Sequence, residues 1–300
     1  MPPTEPAVRP FYEEVTGAFD AVLARGHLDD DPALIRQVAV MHRHLAGVLE
    51  PVGKEEEALS HLDRSIRLLR PLPGRIQDPR DRAWTEFDLF RSLSRQSYAF
   101  SELGELASAL AASEEAVGII RGLIDRYPSD PAWSEALARH LLLRGEVLRQ
   151  LGLHDRSLDT KREALHVAEK AARLAKDDPV KLNTLLTSLV TMADTLALEA
   201  DKERYYGEAV EVARRLGHLH ASEDWATRDA QVLALMNLAD FYRTHARSAE
   251  AIPLYQEAAP IVQNLILQAP EWTQNQDRLR KIAERISECR GALGVPTDSE

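Results

Sequence analysis

Three hundred residues, 44% hydrophobic and 28% charged, suffice for a sizeable core under a well-solvated surface. The formal net charge of −11 opposes nonspecific binding to DNA, RNA or anionic membrane, because like charges repel. A lone cysteine, Cys289, excludes an internal disulfide and fits a reducing compartment.

The chain begins with the proline-rich "MPPTEPAVRP", which lacks the apolar run of a signal peptide and reads as a disordered tail over residues 1–10. No apolar stretch approaches the roughly 20 residues that span a bilayer, so no membrane insertion is expected and the location reads as cytoplasmic. "FYEEVTGAFDAVLARG" (11–26) reads as a single helix that caps an array. After it, one theme recurs. Trp84, Trp133, Trp225 and Trp272 each stand at the start of an amphipathic stretch, and Leu34 and Lys181 take that place in "DDDPALIRQ" and "DDPVKLNTL". The marks 34, 84, 133, 181, 225 and 272 are separated by 50, 49, 48, 44 and 47 residues.

Between marks the pattern is one apolar-striped segment, a break containing Gly or Ala, and a second such segment. In "PAWSEALARHLLLRGEVLRQ" (131–150), Leu137, Leu141 and Leu148 fall at helical spacing. Gly152 follows as the break, and Leu158, Leu165, Ala168 and Ala172 then line one side of 155–176. Asp–Pro pairs open several units, the aspartate suited to the cap and the proline to the first turn. The spacing predicts repeats over about 31–80, 81–128, 129–176, 177–221 and 222–268. A closing helix over 271–294 and a short tail over 295–300 follow. With the N-terminal helix that makes twelve helices and no strands. The proline-rich stretch 71–79 is the longest internal loop.

These units resemble tetratricopeptide repeats (TPRs), helix–turn–helix modules commonly 34 residues long. In 233–262, Leu238-Ala239, Tyr242, Ala246, Ala251, Tyr255 and Ala258 fall on the family's alternating small and large positions. Gly145, Leu148, Gly152, Ser157 and Ala164 fit the same frame, as do Ser97, Phe100, Gly104, Ala109 and Ala116, and Leu45-Ala46, Leu49, Gly53, Ala58 and Leu62. The unit at 192–216 keeps Ala193 and Leu196 but has no glycine break. The resemblance implies a right-handed α-solenoid of antiparallel helix pairs, here with both helices about two turns longer than usual. The tryptophans then read as packing pegs that seal each first helix against the preceding helix's C-terminal end.

Chemistry is hard to place on this frame. His42 and His44, and His218 and His220, are two residues apart, which splits them between helix faces, so they read as surface or groove residues and not metal ligands. "GVLEPVGKEEE" (47–57) has the wrong glycine spacing for a phosphate loop, and its carboxylates would repel phosphate. Asp29, Asp30 and Asp31 precede Pro32, which is capping chemistry. There is no H-E-x-x-H and no G-x-S-x-G. No cofactor, metal or catalytic activity is expected.

What the resemblance does imply is a concave face built from the first helix of each pair, where a protein or peptide lies. By position that face carries Arg43, with Glu50 and His44, then Arg91, Arg95 and Tyr98, then Arg139, Glu146 and Arg149, and finally Asn237, Asp240 and Arg243. Arginine dominates the set, and its planar fork binds carboxylates bidentately. The expected function is a binding scaffold or adaptor for a protein or peptide partner, acidic in character, with self-association a further option. A peptide-responsive sensor of the same fold and an all-α enzyme with a central cavity stay open as alternatives. So does a groove in which Arg91, Arg139 and Arg149 merely pair with Glu146, Glu102 and Glu135.

Overall fold

The computed structural model describes residues 31–50, 53–219, 225–270 and 272–295, with single positions at 10, 14, 17, 18 and 21. Eleven α-helices and no strand lie among the described residues. The twelfth expected helix, over 11–26, falls mostly outside them, although Glu14, Gly17, Ala18 and Ala21 are helical. The expected tails at 1–10 and 295–300 also lie outside, apart from Pro10 and Val295.

Internal contacts divide the chain into two compact units, Met1–Thr160 and Lys161–Glu300. Unit 1 holds α1 (Pro32–Leu49), α2 (Glu55–Leu69), α3 (Pro79–Glu102), α4 (Leu106–Arg126), α5 (Pro131–Gln150) and the start of α6 (His154–Leu174). Unit 2 holds the rest of α6, then α7 (Pro179–Thr195), α8 (Glu199–His218), α9 (Trp225–Thr244), α10 (Ser248–Gln268) and α11 (Thr273–Ala292). In unit 1 the helices α1 to α5 pack in succession, and in unit 2 α7 to α11 do; α1, α3 and α5 also touch in sequence, as α7 touches α9.

Two local devices start and stop these helices. Asp31, Asp78, Asp130 and Asp178 each precede a proline, and each side chain accepts backbone N–H bonds of 2.8–3.3 Å from the first turn. These carboxylates satisfy donors that no helical carbonyl can reach. The second helices α2, α4, α8 and α10 have no side-chain cap; the chain enters three of them directly from a turn.

That turn recurs. Gly53, Gly104, Gly152 and Ala246 have φ of 73°, 76°, 76° and 58°. The next residue's N–H bonds back five residues in each case: Lys54 to Leu49, Glu105 to Phe100, Leu153 to Leu148 and Arg247 to Tyr242, at 2.8–3.2 Å. This is the Schellman arrangement, in which a left-handed residue lets the chain reverse while closing the last carbonyls. α11 ends on it as well, with Gly294 at φ 67° and Val295 N–H bonded to Arg290 O at 3.0 Å. The turn from α7 to α8 differs. No residue there has positive φ, Leu196 is extended with ψ 151°, and Leu198 is 68% exposed. The break between these two helices, around Leu196, contains no glycine to take up that conformation.

Small residues set the contact inside each regular pair. Ala46 and Ala58, Ser97 and Ala109, Gly145 and Ser157, and Ala239 and Ala251 are all buried, each pair twelve residues apart. In two of them a serine adds a bond: Ser97 Oγ donates to Ala109 O at 2.8 Å, and Ser157 Oγ donates to Gly145 O at 2.6 Å. Leu45, Leu49, Leu62, Leu93, Ile120 and Leu141 fill the unit 1 core, and Leu182, Tyr255, Val262, Leu265 and Ile282 that of unit 2. The stretch at 71–79 is irregular but tied down: Leu72 is fully buried, and Arg82 donates twice to Ile76 O.

The tryptophans meet one another. Trp84 and Trp133 lie with ring centroids 5.0 Å apart, and Trp225 and Trp272 4.8 Å apart, both edge-on. Each pair joins the N-terminal ends of successive first helices, so the recurring spacing of the aromatic marks is a packing register.

Candidate functional site

Arginines link one repeat to the next. In unit 1, Arg43 Nη2 bonds Asp88 Oδ1 at 3.2 Å, Arg95 Nε bonds Glu50 Oε2 at 2.9 Å, and Arg70 bonds Glu115 at 2.8 Å, each across 45 residues. In unit 2, Arg247–Glu203 (2.8 Å), Arg243–Glu288 (3.3 Å) and Arg214–Glu257 (2.9 Å) span 43 to 45. Repetition of the sequence thus places cation and anion opposite each other across the packed helices. Most of the outer pairs are exposed and contribute little stability singly.

One place is different. On the α1, α3 and α5 faces of unit 1 lies a cavity of about 540 Å³, lined by four arginines, Arg43, Arg91, Arg95 and Arg139, against two carboxylates, Glu50 and Glu135. Tyr98 lines it too, so Arg43, Glu50, Arg91, Arg95, Tyr98 and Arg139, six of the twelve residues expected on the binding face, share one cavity. Glu146 and Arg149 lie outside it and bond each other at 2.5 Å. Asn237, Asp240 and Arg243 lie on α9 in unit 2. There Asp240 accepts from Tyr255 O–H at 2.5 Å and from Arg285 at 2.7 Å, and Asn237 is half-buried.

The four arginines are held differently. Arg43, expected at the groove surface, is only 3% exposed; it shares Asp88 with Arg36, and its Nε is buried without a partner among the described residues. Burial, then repulsion from Arg91, lowers its pKa to about 10, which leaves it charged at neutral pH. Arg95 lies flat across α1. A Cβ on Gly47 would meet its guanidinium at 2.5–2.8 Å, so this glycine inside a helix makes room for the Arg95–Glu50 pair. Glu50 is raised above the usual carboxylate range by burial, against the pull of Arg95, and its Oε1 is buried and unpartnered. Arg139 is exposed and 3.6 Å from Glu135. Arg91 forms no hydrogen bond or ion pair with a described residue; its guanidinium lies 5.9 Å from the centre of the Phe87 ring.

Phe87, Phe90 and Leu143 supply an apolar wall, with the two phenylalanine rings stacked at 5.7 Å. His140 anchors the floor. Its two ring nitrogens meet Ser94 Oγ on α3 at 2.7 Å and Ser113 Oγ on α4 at 2.9 Å, and burial lowers its pKa to about 4. His44 is also lowered, by partial burial and then by Arg43. His42, expected at the surface, is buried and meets His61 of α2, Nδ1 to Nδ1, at 3.0 Å.

Sequence reasoning missed Phe87, Phe90, Asp88 and His140. The signal for Asp88 was available as a carboxylate set between apolar residues in "FDLF". Among the described residues no group of His, Cys, Asp and Glu could hold a metal ion, and no helix is long and apolar enough to cross a membrane. Cys289 is buried in α11.

No protein-family model matches the chain, and no curated protein matches it. Solved structures do. BtubC (BKLC) from P. vanneervenii superposes with a TM-score of 0.62 at 16% identity, over 85% of this chain and 92% of that one. A Signal Transduction ATPase with Numerous Domains (STAND) protein with a tetratricopeptide repeat sensor, from Pyrococcus horikoshii, gives 0.51 at 14% identity over 98% of this chain. The match covers 42% of that longer protein. Paired helices, recurring turns and these likenesses together show that the chain has the tetratricopeptide-repeat fold.

Proposed function

We propose that this chain is a non-enzymatic scaffold that binds a protein or peptide through the α1, α3 and α5 faces of unit 1, and that it favours acidic partners. The observation that carries this is the arginine-lined cavity in a protein of net charge −11. Repulsion from the rest of the surface works against an acidic partner, so local arginines without a full complement of carboxylates mark where one is accepted. The apolar wall beside them supplies burial, which binding needs in addition to charge.

Fluorescence anisotropy with labelled acidic, neutral and basic peptides tests the reading. Acidic peptides bind best to the wild type, and the double variant Arg91→Glu/Arg139→Glu weakens them by at least tenfold. Unchanged binding by that variant, or a preference for basic peptides, contradicts it.

A further inference from the structure

We infer that the unit 1 cavity selects a single carboxylate carried next to an aromatic or large aliphatic group. This rests on the binding face proposed above and specifies what that face takes hold of.

Size comes first. About 540 Å³ falls within the range of roughly 300–1,000 Å³ for small-ligand pockets. Such a space accommodates a side chain and its neighbouring acid.

Charge comes second. Of the four guanidiniums, Arg95 is engaged by Glu50 at 2.9 Å and held in place over Gly47. Arg43 is engaged by Asp88. Arg139 has Glu135 only at 3.6 Å, and Arg91 has no ion-pair partner among the described residues. One fork that feels Asp88 and Glu135 without bonding either, and one loosely held fork, match one carboxylate, accepted bidentately by Arg91 and supported by Arg139. Glu50 and Glu135 stay in the cavity and repel a second negative charge, which disfavours a phosphate dianion.

The apolar wall comes third. Arg91 sits over the ring of Phe87, which stacks on Phe90. A carboxylate on Arg91 therefore brings its own substituent against two phenylalanines. The same chemistry is offered by a free aromatic or branched acid and by an acidic side chain beside an apolar residue in a peptide.

Calorimetric titration with defined probes separates these cases. N-acetyl-phenylalanine stands for the free acid, and a blocked Gly-Phe-Asp-Gly peptide for the acidic side chain. N-acetyl-phenylalanine amide, acetate and inorganic phosphate are the controls. The free acid or the peptide is expected to bind at least tenfold tighter than the amide, acetate and phosphate; which of the two binds tighter identifies the source. Arg91→Gln, at an exposed position, is expected to lose that tenfold preference, and Arg91→Lys to restore part of it. Glu50→Gln removes a resident carboxylate and frees Arg95, so acid binding is expected to tighten severalfold. Equal binding of acid and amide, tighter binding of phosphate, or an unaltered preference in Arg91→Gln overturns the inference. If acidic peptides still bind the wild-type face in the anisotropy assay, the scaffold reading survives that result.

Discussion

His140 shows how one side chain ties three helices of the site together. It reaches from α5 to serines on α3 and α4, and it is only 2% exposed. Protonation would leave a charge shut away from water, with Arg144 adding repulsion. Burial accordingly holds the folded-state value near 4, below the ordinary 6.5. As pH falls, the unfolded chain takes up the proton first, so His140 stabilises the fold fully above 6.5 and loses that contribution between 6.5 and 4. The full contribution is roughly 3 kcal/mol, of which about 2 kcal/mol is gone by about pH 5. Urea denaturation of the wild type and of His140→Gln at about pH 7.5 and about pH 5 checks this. The wild type is expected to lose about 2 kcal/mol more than the variant over that interval. Equal losses would place the ring in contact with solvent or with a carboxylate.

At the scale of the element, the recurring turn separates what residue identity requires from what packing imposes. Gly152 adopts φ 76° as glycines readily do, whereas Ala246 holds φ 58° in the same turn with a Cβ. The left-handed region costs an L-residue roughly 1 kcal/mol. Gly152→Ala is therefore expected to destabilise by about 1 kcal/mol, while Ala246→Gly is neutral or stabilising, both measured by chemical denaturation. Comparable destabilisation by both would mean that the alanine methyl is anchored in the fold.

Much of this element scale was legible in the sequence because its causes are local. Asp31-Pro32, Asp78-Pro79, Asp130-Pro131 and Asp178-Pro179 announce helix starts, and Gly104 and Gly152 announce the turns. The different α7–α8 turn was visible as a missing glycine. The site was only half legible. The resemblance to tetratricopeptide repeats put Arg91, Arg95, Tyr98 and Arg139 on one face, but charge alone cannot say which arginine keeps a partner. That depends on carboxylates about one repeat away, such as Asp88 and Glu50. Gly47 looked like part of a failed phosphate loop, and its role emerges only when Arg95 is seen lying across it. Trp133 was legible as packing, but its contacts with Trp84 and Phe87 needed the register of neighbouring helices.

For the molecule as a whole, the account joins two facts that pull in opposite directions: a net charge of −11, and arginines without full compensation in one cavity of unit 1. Elsewhere arginines pair with carboxylates, across repeats at Arg70, Arg214 and Arg247 and within one helix at Arg149 and Arg280. The functional reading stands on Arg91 and Arg139 being available where those others are not. The most direct test resolves individual guanidiniums. In an assigned arginine Nε–Hε correlation spectrum, titration with an acidic peptide should shift Arg91 and Arg139, and Arg43 to a lesser degree. Arg149, bonded to Glu146, and Arg243, between Asp240 and Glu288, should stay in place. Motionless Arg91 and Arg139 signals, or larger shifts at Arg149 and Arg243, would contradict the account.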